Sequence, residues 1–514
     1  MAPNNNSRFQ IILLILVLTK FALSYASVHP AYEFQRDEYL YLDEANHLAW
    51  GFLEVPPALS IQAWITKALG NHWYLVRFWP AIFGALTMWV IGLTVKRLQG
   101  SWFALALAGV GFLASAYLRI NILFQPNALE FLCWTVYFYL LISYIQHPKN
   151  KYLYLLGFFV GVGLLNKYSV IFFLAAALPV IAISRYRFMF LKPAFYLALL
   201  IGTVVFLPNL IWQWQHQFPF FQHMQELKAT QLDLVKPSDF LVDQLLLNLP
   251  AAFVWIAGLI ALFLAQWTKP YRAIGWIYLV VIGIFLILHG KSYYALGLYP
   301  VLMAFGGITW ERVLINKHLP YLRPLLLVLP SFLVAPLIPM LLPVLSPEAT
   351  TRYCQKFKAT GVLRWEDGQD HLLPQDYADM LGWEEMATLV RKAYAQIPAA
   401  ERAETIIWCD NYGEAGAVNY YNAKYQLPRA HSTNASYSLW SPARVNPKIV
   451  ILVSDEAPTD LLPHFKSAQI VGRLNNPLYR ESETQVSILR EPDQALLQYW
   501  NAEITAERRK FGIE

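Results

Sequence analysis

The stretch FQIILLILVLTKFALSYASV, residues 9–28, carries one charged side chain in twenty positions. A helix of about twenty apolar residues is long enough to cross the hydrocarbon core of a bilayer. Arg8 precedes the stretch, as in a signal peptide, but its length and its weak cleavage signal at 25–28 favour a span that is retained. This stretch therefore predicts a membrane protein.

Similar apolar runs recur as far as Leu345, and a polar mixture returns from Ser346 to the C-terminus. The chain is 57% hydrophobic and only 14% charged, with a mean hydropathy of +0.36, whereas soluble proteins are about a quarter charged. We predict a polytopic α-helical membrane domain over residues 1–345 and a separate domain over 346–514. About eleven spans are expected, near residues 10–29, 79–95, 102–118, 122–145, 152–166, 168–184, 193–212, 245–266, 273–289, 292–310 and 321–344.

Lysine and arginine residues lie mostly in alternate loops between these runs. If the N-terminus is cytoplasmic, the cytoplasmic loops contain Lys96, Arg97, Lys149, Lys151, Arg185, Arg187, Lys192, Lys269, Arg272, Arg312, Lys317 and Arg323. That distribution follows the positive-inside rule. An odd number of spans then leaves the C-terminal domain extracytoplasmic, in a multi-pass protein of the plasma (inner) membrane. The formal net charge of +6 needs no nucleic-acid partner.

Two predicted outer loops, residues 30–78 and 213–244, are long enough to carry function. The first contains apolar stretches at 49–52 and 59–69, which predict short helices at the membrane surface. The C-terminal part mixes helical periodicity at 383–397 and 415–421 with strand-like runs at 405–409 and 448–453, typical of a small α/β domain. Its two cysteines, Cys354 and Cys409, could form a disulfide or remain free thiols.

The densest polar cluster is RDEYLYLDEANHLAW, residues 36–50, in the first of these loops. If this segment is helical throughout, Asp37, Tyr41, Glu44 and Leu48 share one face, and Asp43 and His47 form an i, i+4 pair. An ordinary solvated loop with Asp37 as an N-cap would contain similar residues. Pro56 and Pro57 follow, end the predicted helix and stiffen the loop.

Several motifs of the chain resemble the bacterial protein-mannosyltransferase-like glycosyltransferases of family 39, including the RgtA/B/C/D-like and aminoarabinose transferases. In the first loop the resemblance is carried by Asp37, Glu38, Tyr41, His47, Ala49, Trp50, Gly51, Pro56 and Pro57. Further motifs follow in family order: FQPNALEFLCWTVYFYLL, with Asn127 where many members have Asp, then GLLNKYSVIFF, LPNLIWQWQHQFPFF and GKSYYALGLYPVL. In the tail, GWEEMATLV, NYGEAGAVNYY and NASYSLW resemble one subgroup, so the similarity covers about residues 36–440.

This resemblance implies the glycosyltransferase C fold and a polyprenyl-phosphate sugar as donor. The acceptor would be a lipid, glycan or protein at the outer membrane face. Asp37 would be the catalytic general base of an inverting transfer, with Glu38 beside it. The departing phosphate needs cations or hydrogen bonds, which we expect from Lys167 and Lys291. Further substrate contacts are expected from Tyr41, His47, Tyr293 and Tyr294.

No cofactor is expected, and a metal site at Glu54, His216 and His223 is not favoured because no short ligand spacing accompanies them. Two other functions remain open from the residues alone. A polytopic lipid or sugar transporter, such as a flippase, would also need many spans, but it should carry charged or broken helices at mid-membrane in related halves. A non-catalytic membrane scaffold whose tail binds a partner is the other alternative.

Overall fold

The computed structural model of the chain describes residues 5–456 and 458–513. The first helices in chain order are α1 Asn5–Ala26, α2 Arg36–Asp43, α3 Ala58–Ala68, α4 Trp73–Arg97, α5 Trp102–Leu113, α6 Tyr117–Ile120, α7 Asn127–Gln146, α8 Asn150–Leu164, α9 Val170–Ile183, α10 Pro193–Gln215, α11 Pro219–Thr230 and α12 Pro237–Leu246. The later helices are α13 Ala252–Leu264, α14 Arg272–Ile287, α15 Tyr299–Asn316, α16 Arg323–Val334, α17 Ile338–Leu341, α18 Pro347–Cys354, α19 Gln375–Ala378, α20 Trp383–Ala395, α21 Tyr412–Tyr425, α22 Tyr437–Trp440 and α23 Gln494–Lys510. Short 3-10 helices, such as Glu44–Asn46 and Ser292–Leu298, connect several of them.

The chain forms two compact units. The first contains residues 1–27, 72–210 and 225–342, and the second contains residues 28–71, 211–224 and 343–514. The segment 28–71, which we call the first loop, thus belongs to the same unit as the C-terminal residues. It begins beside the start of that C-terminal part, since the His29 amide donates to the Pro343 carbonyl at 2.7 Å.

The first unit is a bundle of apolar helices. Among the described residues, seven helices are long and apolar enough to cross a membrane, and the bent pair Pro237–Leu246 and Leu249–Leu264 would make eight. Three shorter apolar helices, α5, α8 and α9, accompany them. A polytopic helical membrane protein is therefore confirmed, while the number of eleven spans stays a prediction. The span expected near residues 79–95 lies within α4, which begins earlier, at Trp73.

Small residues let the helices of this bundle approach closely. A Cβ on Gly306 would lie 1.9 Å from the Val254 carbonyl oxygen, and one on Gly258 would lie 2.1 Å from that of Leu302. Both contacts join α13 to α15, and side chains larger than hydrogen would force these two helices apart. Such small-residue contacts are typical of helices that pack in lipid.

The second unit contains the predicted α/β domain. Its strands are β1 Thr405–Cys409, β2 Ala430–His431, β3 Ile449–Ser454, β4 Phe465–Arg473 and β5 Gln485–Pro492, in the order β2-β1-β3-β5-β4. β1 pairs in parallel with β2 and β3, and β5 is antiparallel to β3 and β4. β3 is buried along its whole length, as expected of a central strand. Residues of α23, including Trp500, pack with the sheet in one apolar core.

Several sequence predictions are confirmed in this unit. The helix expected over 383–397 is α20, the strands expected over 405–409 and 448–453 are β1 and β3, and α21 contains the helix expected over 415–421. Cys354 and Cys409 are both free and buried, so the structure has thiols here and not the alternative disulfide.

Three local predictions in the first loop were wrong. Residues 59–69 do contain a helix, α3, whose Trp64 is exposed, but residues 49–52 are not helical. The helix α2 ends at Asp43, so Glu44 and Leu48 do not continue the face of Asp37, and His47 is not one helical turn after Asp43. Pro56 and Pro57 precede α3 and end no helix, because residues 47–56 are irregular.

Candidate functional site

A capping box fixes the start of α2, the short helix that bears Asp37. The Gln35 side chain accepts a hydrogen bond from the Asp37 amide at 2.9 Å, and Glu38 Oε2 accepts one from the Gln35 amide at 2.7 Å. Gln35, and not Asp37, is therefore the N-cap, while the buried Glu38 satisfies the backbone of the cap. With its cap supplied by neighbours, the Asp37 carboxylate is available for other contacts.

Asp37 lies partly exposed in the second helical position of α2 and receives a hydrogen bond from α21. The Tyr412 hydroxyl donates to Asp37 Oδ1 at 2.7 Å. Tyr412 is half-buried, and desolvation of its hydroxyl, followed by the Asp37 carboxylate, raises the pKa of that hydroxyl well above the ordinary value, so it remains a donor. The Arg36 guanidinium stacks over the Tyr412 ring at 4.7 Å from its centroid.

The same loop is tied to residues 379–384 by several hydrogen bonds. The Arg36 amide donates to the Asp379 carbonyl at 3.0 Å, and the Glu33 carboxylate accepts from the amides of Gly382 at 3.0 Å and Glu384 at 2.8 Å. Burial raises the pKa of the Asp379 carboxyl to about 7, although Arg480 opposes the shift. These contacts hold α2 as part of the second unit.

Asp43, at the end of α2, is a buried carboxylate with four donors. Its Oδ1 accepts from Asn46 at 2.6 Å and Arg429 at 3.2 Å, and its Oδ2 accepts from Asn419 at 2.8 Å and Tyr437 at 2.6 Å. Three of these donors come from residues 419–437 of the C-terminal part. Because so many partners surround its oxygens, Asp43 is best explained as the group that joins the first loop to that part.

His47 lies beside the same network. Its ring stacks on Trp440 with centroids 4.1 Å apart, and its Nε2 accepts a hydrogen bond from Arg429. Burial, and then the positive charge of Arg429, lower the pKa of His47 to about 4, so the imidazole is neutral at physiological pH. These contacts are structural, and the substrate contact expected from the sequence stays a prediction.

Two further carboxyl groups of the loop lie near these residues. Neither oxygen of Glu44 has a hydrogen-bond partner among the residues that the structure describes. Burial, followed by the nearby Glu54 and Asp43, raises the pKa of the Glu44 carboxyl well above its ordinary value, which favours the protonated form. Glu54 accepts hydrogen bonds from the Ser436 amide at 2.7 Å and from its hydroxyl at 2.5 Å. Tyr41 is buried as well, and burial raises its pKa.

In the first unit, Lys167 is surrounded by polar and aromatic groups. Its Nζ donates to Asn127 Oδ1 at 2.6 Å and to Glu130 Oε2 at 2.9 Å. It also lies 5.2 Å from the ring centroid of Tyr293 and 4.9 Å from that of Tyr294. The structure therefore brings together Lys167, Tyr293 and Tyr294 as a cluster, and adds Glu130 as a buried counter-charge.

Carboxylates of the second unit offer one arrangement that could hold a metal ion. Glu414, Asp455 and Glu481 each place an oxygen within 4.8 Å of the others. Arg36 already supplies positive charge there, since its Nε lies 3.6 Å from Glu481 Oε1. Burial nevertheless raises the pKa of the Glu481 carboxyl to about 8, so protonation is a second way to reduce the negative charge of the cluster.

Sequence reasoning missed Tyr412, Glu130 and the partners of Asp43. Tyr412 stands in NYGEAGAVNYY, a stretch marked by family resemblance but without an assigned role. Glu130 stands in the FQPNALEF stretch, three residues after Asn127. In both cases a family motif marked the segment, but no local sequence pattern indicated which distant residue the side chain contacts.

A family model agrees with the motifs. Residues 54–212 match the model described as dolichyl-phosphate-mannose-protein mannosyltransferase. The match begins after Asp37 and includes Lys167, and it confirms the family resemblance seen in the sequence. No curated protein matches the chain significantly.

Solved structures agree with the predicted fold. The chain is similar to ArnT from Cupriavidus metallidurans bound to undecaprenyl phosphate, with a TM-score of 0.62, 15% identity, and coverage of 93% of this chain and 97% of that one. The apo state of the same protein gives a TM-score of 0.61 at 14% identity, covering 95% and 98%. The glycosyltransferase C fold is therefore confirmed.

Proposed function

We propose, from the mannosyltransferase-like family match and the glycosyltransferase C fold, that this membrane protein transfers a sugar from a polyprenyl-phosphate-linked donor to a lipid, glycan or protein acceptor. The observation that carries the proposal is the family match, joined to a partly exposed carboxylate, Asp37, on a short helix with a complete cap. The donor class is supported by the undecaprenyl phosphate bound to the ArnT of similar fold.

In the proposed reaction Asp37 acts as general base. The carboxylate takes the proton of an acceptor hydroxyl while that oxygen attacks the anomeric carbon of the donor sugar. The bond from this carbon to the phosphate oxygen breaks, and polyprenyl phosphate leaves with the bonding electrons. One direct displacement inverts the anomeric configuration. Glu38 is assigned an assisting role through its place beside Asp37, and its bond to the Gln35 amide indicates that it orients α2.

Lys167 and Lys291 are the proposed cations for the donor phosphate, with Tyr293 and Tyr294 beside Lys167. The Glu130 carboxylate offsets much of the Lys167 charge in the protein without substrate. A phosphate would therefore compete with Glu130 for this ammonium group. A lysine that already has a carboxylate partner can bind the donor phosphate before the reaction and release the polyprenyl phosphate after the donor is cleaved.

Replacing Lys167 or Lys291 by Met keeps the aliphatic stem and removes the charge. We expect each variant to raise the donor KM or lower turnover by about tenfold, because a hydrogen bond to a charged group contributes about 1.5–3 kcal/mol. Lys192→Met is the matched control, since Lys192 also lies over two aromatic rings, those of Tyr144 and Phe188. Unchanged donor KM and turnover in both test variants would remove the phosphate-binding role.

The proposed location is the plasma (inner) membrane, with the C-terminal domain extracytoplasmic. Reporter fusions after Lys96 and Arg187 should then be cytoplasmic, and fusions near Thr230 and after Glu514 should be external, because Lys and Arg collect in the loops of one side. A cytoplasmic reporter at the C-terminus would contradict this arrangement.

Mass spectrometry of lipids and glycans from cells with and without the gene tests the proposed function directly. A glycosyltransferase predicts that one sugar-bearing product disappears with the gene while its unmodified acceptor accumulates. A transporter or flippase, the alternative function, predicts the same molecules distributed differently across the membrane. Identical composition in both cells would contradict the proposal, and the missing product would identify both sugar and acceptor.

A further inference from the structure

We propose that Tyr412 is a positioning residue for Asp37, supplied by the C-terminal part of the chain. The inference rests on the proposed function and assigns a role to the tail motif NYGEAGAVNYY. Its basis is the part-buried hydrogen bond of 2.7 Å from the Tyr412 hydroxyl to Asp37 Oδ1, which joins residues 375 positions apart.

The position of Tyr412 is well determined by its place in the fold. It is the first residue of α21, three positions after the last residue of β1, and so lies near the carboxyl end of a parallel strand. The Asn411 side chain caps α21 by accepting from the amides of Gly413 at 2.9 Å and Glu414 at 3.1 Å, and Glu414 completes a capping box. A side chain on such a strand-to-helix junction is held more precisely than one on an irregular loop.

A second contact holds the Tyr412 ring itself. The Arg36 guanidinium carbon lies 4.7 Å from the centroid of the ring and covers one of its faces. The Nε atom of Arg36 lies in turn 3.6 Å from Glu481 Oε1, and this ion pair holds the guanidinium in place. The backbone of α21 leaves little space here, because a Cβ on Gly413 would lie 2.7 Å from the Arg36 side chain. Arg36 and Asp37 are neighbours on α2, so two consecutive side chains of the loop contact one tyrosine.

This arrangement would affect the proposed base in two ways. A hydrogen bond from a fixed donor sets the plane of the Asp37 carboxylate, and thereby the direction from which an acceptor hydroxyl can approach it. A donor to a carboxylate also stabilises the charged form, which is the form that accepts a proton. Tyr412 touches no substrate in this proposal and acts through Asp37.

Tyr412→Phe removes the hydroxyl and keeps the ring beneath Arg36. In membrane vesicles from cells that make only the variant, which contain their own donor and acceptor, we expect transfer to fall about tenfold. Without its donor the carboxylate protonates more easily, so the acidic limb of the pH–rate profile should move to higher pH. The readout is formation of the product that is missing from cells without the gene.

Tyr421→Phe is the matched control. Tyr421 lies on the same helix, is half-buried like Tyr412 and donates to another carboxylate, Glu33, at 2.9 Å, so loss of its hydroxyl should leave the pH profile in place. A Tyr412→Phe rate and profile equal to those of the wild type would overturn the positioning role. A lower rate with an unmoved profile and a lower melting temperature would also overturn it, in favour of a purely structural contact. Failure of the proposed function is distinguishable, because cells with and without the gene would then have identical lipids and glycans. Failure of the general-base assignment alone would leave transfer by Asp37→Asn near normal.

Discussion

Replacing Asp37 by Asn should abolish most sugar transfer while leaving the protein folded. The asparagine carbonyl can still accept the hydrogen bond from Tyr412, and the amide has the same shape as the carboxylate. It cannot take a proton from an acceptor hydroxyl, so we expect turnover to fall on the order of a hundredfold or more. Product formation in vesicles, together with the melting temperature of the purified variant, measures the two effects separately.

Glu38→Gln is the companion variant, because Gln can still accept from the Gln35 amide and preserve the cap of α2. It should reduce transfer less than Asp37→Asn does. If the Asp37 variant melts at a lower temperature and its loss of transfer follows its loss of folded protein, the carboxylate serves stability. Near-normal transfer by folded Asp37→Asn protein would refute the general-base assignment.

The second large effect is expected on stability, at Asp43. Its buried carboxylate accepts from Asn46, Asn419 and Tyr437 as well as from Arg429. Asp43→Ala would leave the buried Tyr437 hydroxyl without its acceptor and would remove one acceptor from the half-buried Asn419, and we expect a loss of about 3 kcal/mol in the free energy of unfolding. Arg429 is more than a third exposed and can regain water, so its share of this loss is small.

Asp367→Ala is the control for Asp43→Ala, because Asp367 is exposed and accepts from its close neighbours Gln369 and His371. It should change the melting temperature little. Limited proteolysis of the Asp43 variant should also cut residues 28–71 more readily, because the loop loses its attachment to residues 419–437. Equal melting and equal protease resistance in the two variants would show that the Asp43 network is not needed for stability.

Local hydrophobic periodicity correctly predicted those helices and strands whose pattern of burial can be read from their own sequence. The continuous apolar run of β3 and the amphipathic repeat of α20 identify a central strand and a helix that lies half on a core. Apolar runs likewise predicted the membrane helices, although three of them are short and one is bent. Composition does not give the number of membrane spans, because two helices joined by a sharp bend have the same apolar composition as one continuous span.

The first loop was predicted less well because distant contacts decide its structure. A Cβ on Gly51 would lie 2.3 Å from the Trp212 ring, so this segment is shaped by close packing against a residue 161 positions away. His47 stacks on Trp440, and Asp43 binds residues 376 to 394 positions later in the chain. Family motifs identified the correct segments, while the pairing of Asp37 with Tyr412 needed the fold.

The discontinuous make-up of the second unit has a consequence for how the protein matures during synthesis. Residues 28–71 leave the ribosome early, but apart from residues 211–224 the rest of their unit begins only at residue 343. At about 5–20 residues per second, the loop must wait on the order of 15–60 s for that part. Throughout that interval Asp37 lacks Tyr412 and Asp43 lacks Asn419, Arg429 and Tyr437. A nascent chain should therefore remain inactive, and open to quality-control proteases, until translation is nearly finished.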